Sequence, residues 1–173
     1  IMTYRYVIIG HSDQRAAGDT ASIIAEKMAL AVGDGLIPIV CVGENAKERA
    51  ACAGEIIIRE QIIAAFSMIR KHDALAACEA YIAYEPVWAI SSAYEAVPAT
   101  PEYARARIAH IKEYLLHSAY SFPVKFLYGG SITSVNASSF LRNEDIDGLL
   151  VGAASLQTKE IKKIWQESTE QTE

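Results

Sequence analysis

The chain has 173 residues, 51% hydrophobic and 21% charged, a balance that fits one ordinary globular domain and excludes the disordered and fibrous classes. Sixteen Lys and Arg against twenty-one Asp and Glu give a net charge of -5, and the basic residues are scattered, so no nucleic-acid surface is expected. Cys41, Cys52 and Cys78 show neither the even count nor the CxxC spacing of a disulfide framework or zinc site, which points to a reducing compartment, and apolar stretches such as Ile37–Val42 fall far short of the ~20 residues that a membrane helix needs.

The first residue is Ile1 rather than Met, and a strand-like run, Tyr6–Ile9, follows at once, so a fragment of a longer chain is expected. Asp19-Thr20 can cap a helix running to about Ala31, with Gly33 where a left-handed C-terminal stop is wanted. The second strand covers Ile37–Val42. Asn45 followed by Glu48 resembles a capping box ahead of a helical stretch, Ala46–Arg70, which Gly54 can divide into a short and a long helix. After a third strand, Tyr81–Tyr84, the run Thr100-Pro101-Glu102 supplies a capping hydroxyl, a proline at the first turn and a carboxylate suited to the dipole, so a helix is predicted through Leu116. A fourth strand (Val124–Tyr128), a helix (Ser134–Arg142), a fifth strand (Gly148–Val151) and a helix (Lys159–Gln166) complete the series, and the polar tail Glu167–Glu173 is expected to fray.

Short β-branched or aromatic runs alternating with helices are the sign of βαβ units around a parallel sheet, and strands apolar nearly throughout suit cover on both faces. Five units could build an open doubly wound sheet or part of a closed eight-stranded barrel. Periodicity does not choose between them. The polar groups do, because each strand ends in a reactive or phosphate-friendly residue, which fits the C-terminal rim of a barrel better than a single switch-point crevice.

The first strand leads into Gly10-His11-Ser12-Asp13, the third into Glu85-Pro86-Val87-Trp88. A lone histidine is more often structural, and a glutamate in a turn is often only a surface group. Together at the same end of neighbouring strands, a carboxylate can remove a carbon-bound proton while an imidazole hydrogen-bonds the oxygen where charge develops. Tyr128-Gly129-Gly130-Ser131 and Val151-Gly152-Ala153-Ala154-Ser155 close the last two strands with small residues that let backbone N–H groups approach a phosphate, although a Gly-Gly after a strand is usually just a turn.

These segments, with Ile39-Val40-Cys41-Val42-Gly43-Glu44 and Asp145-Ile146-Asp147-Gly148-Leu149-Leu150-Val151-Gly152, resemble successive signatures of the triosephosphate isomerase family, one per strand and in the family's order over almost the whole chain. The resemblance implies an α/β parallel (β/α)8 TIM barrel of which residues 1–173 supply about five βα units, strands 4 to 8, as one domain lacking its N-terminal portion. It implies an enzyme that interconverts dihydroxyacetone phosphate and glyceraldehyde 3-phosphate through an enediolate in glycolysis and gluconeogenesis, without cofactor or metal, as a cytoplasmic homodimer with no nucleic-acid or membrane partner. Glu85 then matches the base and His11 the neutral electrophile; that division of roles is the family's own well-known example of pKa tuning and is inherited with the resemblance. Asp13 joins them as a catalytic position. Ser131, Gly152 and Ala153 match phosphate-binding positions, as does Ser91 in the family's mobile lid, and Glu44 with Trp88 matches a pair in which the carboxylate accepts the indole N–H.

Three departures stand out. The family's strands before the fourth, with an asparagine and a lysine near the substrate, have no counterpart here. Ser91–Ala99 is longer than the usual lid tip and lacks glycine, and Asp13-Gln14 replaces the usual glutamate and arginine. These changes motivate two alternatives: a paralogue acting on a four-carbon ketose phosphate such as erythrulose phosphate, and an inactive phosphate-binding fragment.

Overall fold

The computed structural model describes residues 4–69, 79–90, 97–118 and 123–169. Five strands are β1 (Tyr6–Ile9), β2 (Ile37–Val42), β3 (Ala80–Tyr84), β4 (Val124–Gly130) and β5 (Gly148–Val151), and the helices are α1 (Ser12–Ala16), α2 (Ala21–Gly33), α3 (Ala46–Ala50), α4 (Gly54–Phe66), α5 (Pro101–Leu116), α6 (Ala137–Leu141) and α7 (Thr158–Thr169). All neighbours pair in parallel and the sheet order is β1-β2-β3-β4-β5. An order that never reverses has no topological switch point, which excludes the doubly wound alternative and lines up the C-terminal ends of all five strands along one rim. The α/β architecture is that of a barrel segment.

Period-two alternation sorts each strand between two apolar layers. Ile9, Val40, Val42, Ile82, Tyr84, Phe126 and Tyr128 pack beneath the helices with Ile24, Met28, Ile58, Ile62, Ile108 and Ile111. Cys41, Ala83 and Leu127, adjacent in register, form a smaller cluster on the opposite face with Ile39, Tyr81 and Leu150 around it. The expectation of cover on both faces thus holds for the central strands but not for β1, where Tyr6 is 45% and Ile8 51% exposed. Among the described residues no helix is long and apolar enough to cross a membrane.

Several boundaries differ from those read in the sequence, each for a local reason. The helix expected to stop at Gly33 runs through it, and the left-handed residue is Gly35 (φ +73°), where Leu36 N–H reaches Ala31 C=O at 2.9 Å to close the turn. The long helix ends at Phe66 rather than Arg70, with the Ser67 hydroxyl donating to Ala64 C=O in place of a further turn; Arg70 itself lies outside the described residues. The sixth helix starts at Ala137, not Ser134, because Asn136 Oδ1 takes Thr133 N–H at 2.9 Å and holds a turn ahead of it. Glu167–Thr169 stay helical instead of fraying, the Ser168 and Thr169 hydroxyls donating to the carbonyls of Trp165 and Gln166. The capping box at Asn45 and Glu48, the Thr20 and Thr100 caps and the break before Gly54 stand as read.

That break passes through Cys52, which follows α3 at φ +55° and is exposed. A side chain costs ~1–2 kcal/mol in this left-handed region, against roughly 0.5–1 kcal/mol for the extra freedom glycine loses on folding. Cys52→Gly should therefore stabilise the chain by about 0.5–1 kcal/mol in urea unfolding with an unchanged m-value, and a loss of stability would show that the cysteine makes a compensating contact.

Candidate active site

His11 and Glu85 meet where β1 and β3 end: His11 Nε2 lies 3.0 Å from Glu85 Oε1. Gly10, with φ +72°, turns the chain out of β1, and His11 then caps the short helix α1, its Nδ1 accepting Asp13 N–H at 3.2 Å. A ring nitrogen that accepts a backbone N–H carries no proton, so the neutral imidazole holds its hydrogen on Nε2, facing the carboxylate. Ser12 N–H approaches the second oxygen, Glu85 Oε2, at 3.4 Å.

Glu85 is 5% exposed, and its place is carved out by two glycines. A Cβ on Gly43 of the β2 end would sit 1.8 Å from the Glu85 carbonyl oxygen, and one on Gly129 of β4 would press Glu85 Cγ at 3.0 Å. The Glu85 main chain is fixed by its N–H donating to Val42 C=O at 2.8 Å. The space left beside it, about 10 Å³, is lined by Gly10, Ser12, Arg15, Cys41, Gly43 and Glu85, among others. Burial in this tight site raises the Glu85 carboxyl above its ordinary value of 4.5, with the facing His11 opposing the shift. Burial also pushes up the neighbouring Cys41 thiol, reinforced by the Glu85 charge, so that thiol stays protonated. Ser12 Oγ is buried and has no hydrogen-bond partner among the described residues. Two costly polar burials side by side are the pattern of a working site rather than of a core.

Residues that the sequence reading passed over hold this rim together. Arg15 donates through Nε to Gly10 C=O at 2.7 Å and through Nη2 to Cys41 C=O at 2.9 Å, tying the end of β1 to that of β2. From α4, Gln61 grips Gly43 as a strand partner would, Oε1 accepting its N–H at 2.8 Å and Nε2 donating to its C=O at 3.0 Å. Neither role has a local signal, since the partners are 26 and 18 residues away.

Of the other site residues read in the sequence, Asp13 has its side chain 75% exposed, with Oδ2 3.7 Å from His11 Nδ1, so its backbone makes the closer contact. Ser131 and Ala153 line one cleft of about 300 Å³ at the ends of β4 and β5, with Gly130, Thr133, Gln157 and Glu160 also on its wall. Ser131 Oγ donates to Ala89 C=O at 2.8 Å, binding this cleft to the turn that follows Glu85, and Asn136 Nδ2 holds Ser131 C=O at 2.9 Å. Gly152 precedes the short 3-10 turn Ala153–Leu156. Ser131 follows β4 directly, and Gly152 and Ala153 follow β5, so all three stand at the strand-end rim. Ser91 lies outside the described residues, with the rest of 91–96. Glu44 and Trp88 do meet, Trp88 Nε1 donating to Glu44 Oε1 at 2.9 Å.

The family model described as triosephosphate isomerase matches residues 2–168. The chain belongs to the triosephosphate isomerase family. It is 40% identical over 162 residues to a triosephosphate isomerase of Buchnera aphidicola subsp. Schizaphis graminum, covering 92% of this chain and 62% of that relative. It is 38% identical over 161 residues to one of Shewanella loihica, covering 90% of this chain and 59% of the relative, and to another of Shewanella baltica with the same identity and coverage. The chain thus spans about three fifths of the length of these triosephosphate isomerases.

Two predictions follow from the packing of Glu85. A carboxyl whose folded pKa lies above its unfolded value binds more protons in the folded state, so stability falls as pH rises from about 4.5 through the raised value and then levels off. Glu85→Gln should remove that loss and leave the chain more stable than the parent at pH 7 in thermal unfolding; equal stability at pH 7 would mean that the buried charge costs nothing. Gly43→Ala should force the Glu85 backbone away, and with a displacement of ~1 Å worth ~10²-fold in rate, any activity should drop by about that factor while the chain stays folded. Unchanged turnover in Gly43→Ala would show that the close approach has no functional meaning.

Proposed function

We propose that the protein interconverts dihydroxyacetone phosphate and glyceraldehyde 3-phosphate, with the described residues forming the proton-transfer and phosphate-holding parts of the site. The observation that carries this reading is the 3.0 Å contact of His11 Nε2 with Glu85 Oε1 on the strand-end rim, on which a second cleft is lined by Ser131 and Ala153. Glu85, raised in pKa, takes the proton from the carbon beside the substrate carbonyl; His11 donates its Nε2–H toward the oxygen that becomes negative; the enediolate then regains the proton on the neighbouring carbon, and no net atom or electron is lost. Asp13 contributes through its N–H, which keeps His11 Nδ1 an acceptor. Ser131, Gly152 and Ala153 present N–H groups to the phosphate, and Ser91 joins them in this reading. Neither a cofactor nor a metal takes part.

In this reading the five βα units stand as strands 4 to 8 of an eight-stranded barrel, residues 1–173 forming part of a single domain. The order of the motifs and the share of the relatives that is matched both support it. A cytoplasmic location, a homodimer and a place in glycolysis and gluconeogenesis belong to the same proposal.

Turnover of glyceraldehyde 3-phosphate in heavy water tests the reaction. Dihydroxyacetone phosphate should form with deuterium on the carbon that had been the aldehyde, and Glu85→Gln should slow its formation by about 10²–10⁴-fold, the usual worth of a general base. Product without deuterium would speak against an exchanging enediolate. Phosphate-analogue binding without any turnover would favour the phosphate-binding fragment.

A further inference from the structure

Glu44 is fully buried, and among the described residues no cation stands within ion-pair distance of it. A charge so placed depends on hydrogen bonds. Among the described residues it has three donors, all neutral: Tyr84 OH at 3.0 Å, Trp88 Nε1 at 2.9 Å and Tyr103 OH at 3.0 Å reach Oε1, and Tyr84 OH also lies 3.2 Å from Oε2. Tyr84 belongs to β3, whereas Trp88 lies three residues beyond Glu85 and Tyr103 is in the first turn of α5. One carboxylate oxygen therefore joins the turn that carries Glu85 to the start of the next helix.

The direction of this link is fixed from its far end. Arg107 Nη2 approaches the Tyr103 oxygen at 3.4 Å as a donor, while Arg107 Nη1 is anchored on Glu55 at 2.8 Å. A hydroxyl that accepts from a guanidinium must send its own hydrogen elsewhere, and Glu44 is the acceptor within reach; each bond polarises the next. The Tyr103 ring also meets Trp88 edge-on at 5.3 Å, and Arg49 covers the indole at 3.6 Å from its centroid. Trp88 is thus held by Glu44 on its N–H, by the Tyr103 ring and by Arg49, and the Tyr103 hydroxyl shares the Glu44 oxygen that accepts the indole N–H.

We propose that Tyr103 is a positioning residue for the proton-transfer site, acting through Glu44 and Trp88 on the turn that holds Glu85. This rests on the reading of His11 and Glu85 as the reacting pair. A purely packing role is served equally well by phenylalanine, which keeps the ring and loses only the hydroxyl.

The test uses the chain with Trp165→Phe, which leaves Trp88 as its single tryptophan, with and without Tyr103→Phe. The hydroxyl deletion should increase acrylamide quenching of Trp88 and weaken 2-phosphoglycolate binding roughly 3- to 10-fold, the worth of one hydrogen bond. If either quantity is unchanged, the proposal is overturned. Should Tyr103→Phe fail to fold, Arg107→Gln must move both readouts in the same direction, and no movement again overturns it. A parent chain that does not bind phosphoglycolate counts against the isomerase reading alone, and the quenching comparison then decides whether Tyr103 holds Trp88.

Discussion

Glu85 can be buried only because the residues on both sides of it have no side chain. Gly43 and Gly129 bring the backbones of β2 and β4 against it, the Val42 carbonyl fixes its N–H, and Gln61 and Arg15 secure the two strand ends from which Gly43 and His11 emerge. The carboxylate that results is 5% exposed. Burial raises its proton affinity against the opposing His11 imidazole, Ser12 N–H and Cys41 thiol, while it stays on the rim within reach of a reacting carbon.

The second deeply buried carboxylate among the described residues shows the other solution to the same problem. Glu44 follows Gly43 by one residue, and strand alternation turns it to the opposite face of the sheet. There Tyr84, Trp88 and Tyr103 surround it with donors, and burial beside Glu44 raises the Tyr84 hydroxyl far above its usual range. One glutamate is satisfied and joins helix to sheet. The other stands on the rim, where burial raises its proton affinity. Period-two geometry separates a structural carboxylate from a reactive one within a few ångströms.

The strands were legible because each is a short apolar run between helical segments, and the helices because their caps are local: Thr20, Asn45 with Glu48, and Thr100 act on neighbours two or three residues away. α1 had no such signal, since its cap is the imidazole of His11 rather than a hydroxyl or carboxylate. His11 and Glu85 could be picked out because they follow strands, but their pairing spans 74 residues of chain and needed the sheet order. Arg15, Gln61 and Tyr103 stayed hidden for the same reason: an arginine on a short helix, a glutamine in a long one and a tyrosine behind a cap look like surface residues until the strands they hold are in place.

A buried Glu85 faces His11 Nε2 across 3.0 Å, while His11 Nδ1 accepts Asp13 N–H. A carbon-13 NMR titration of the Glu85 side-chain carboxyl reads this arrangement directly. The midpoint should lie above 4.5, with the His11 ring hydrogen that faces Glu85 on Nε2. A midpoint at or below 4.5, or a His11 proton residing on Nδ1, would contradict it.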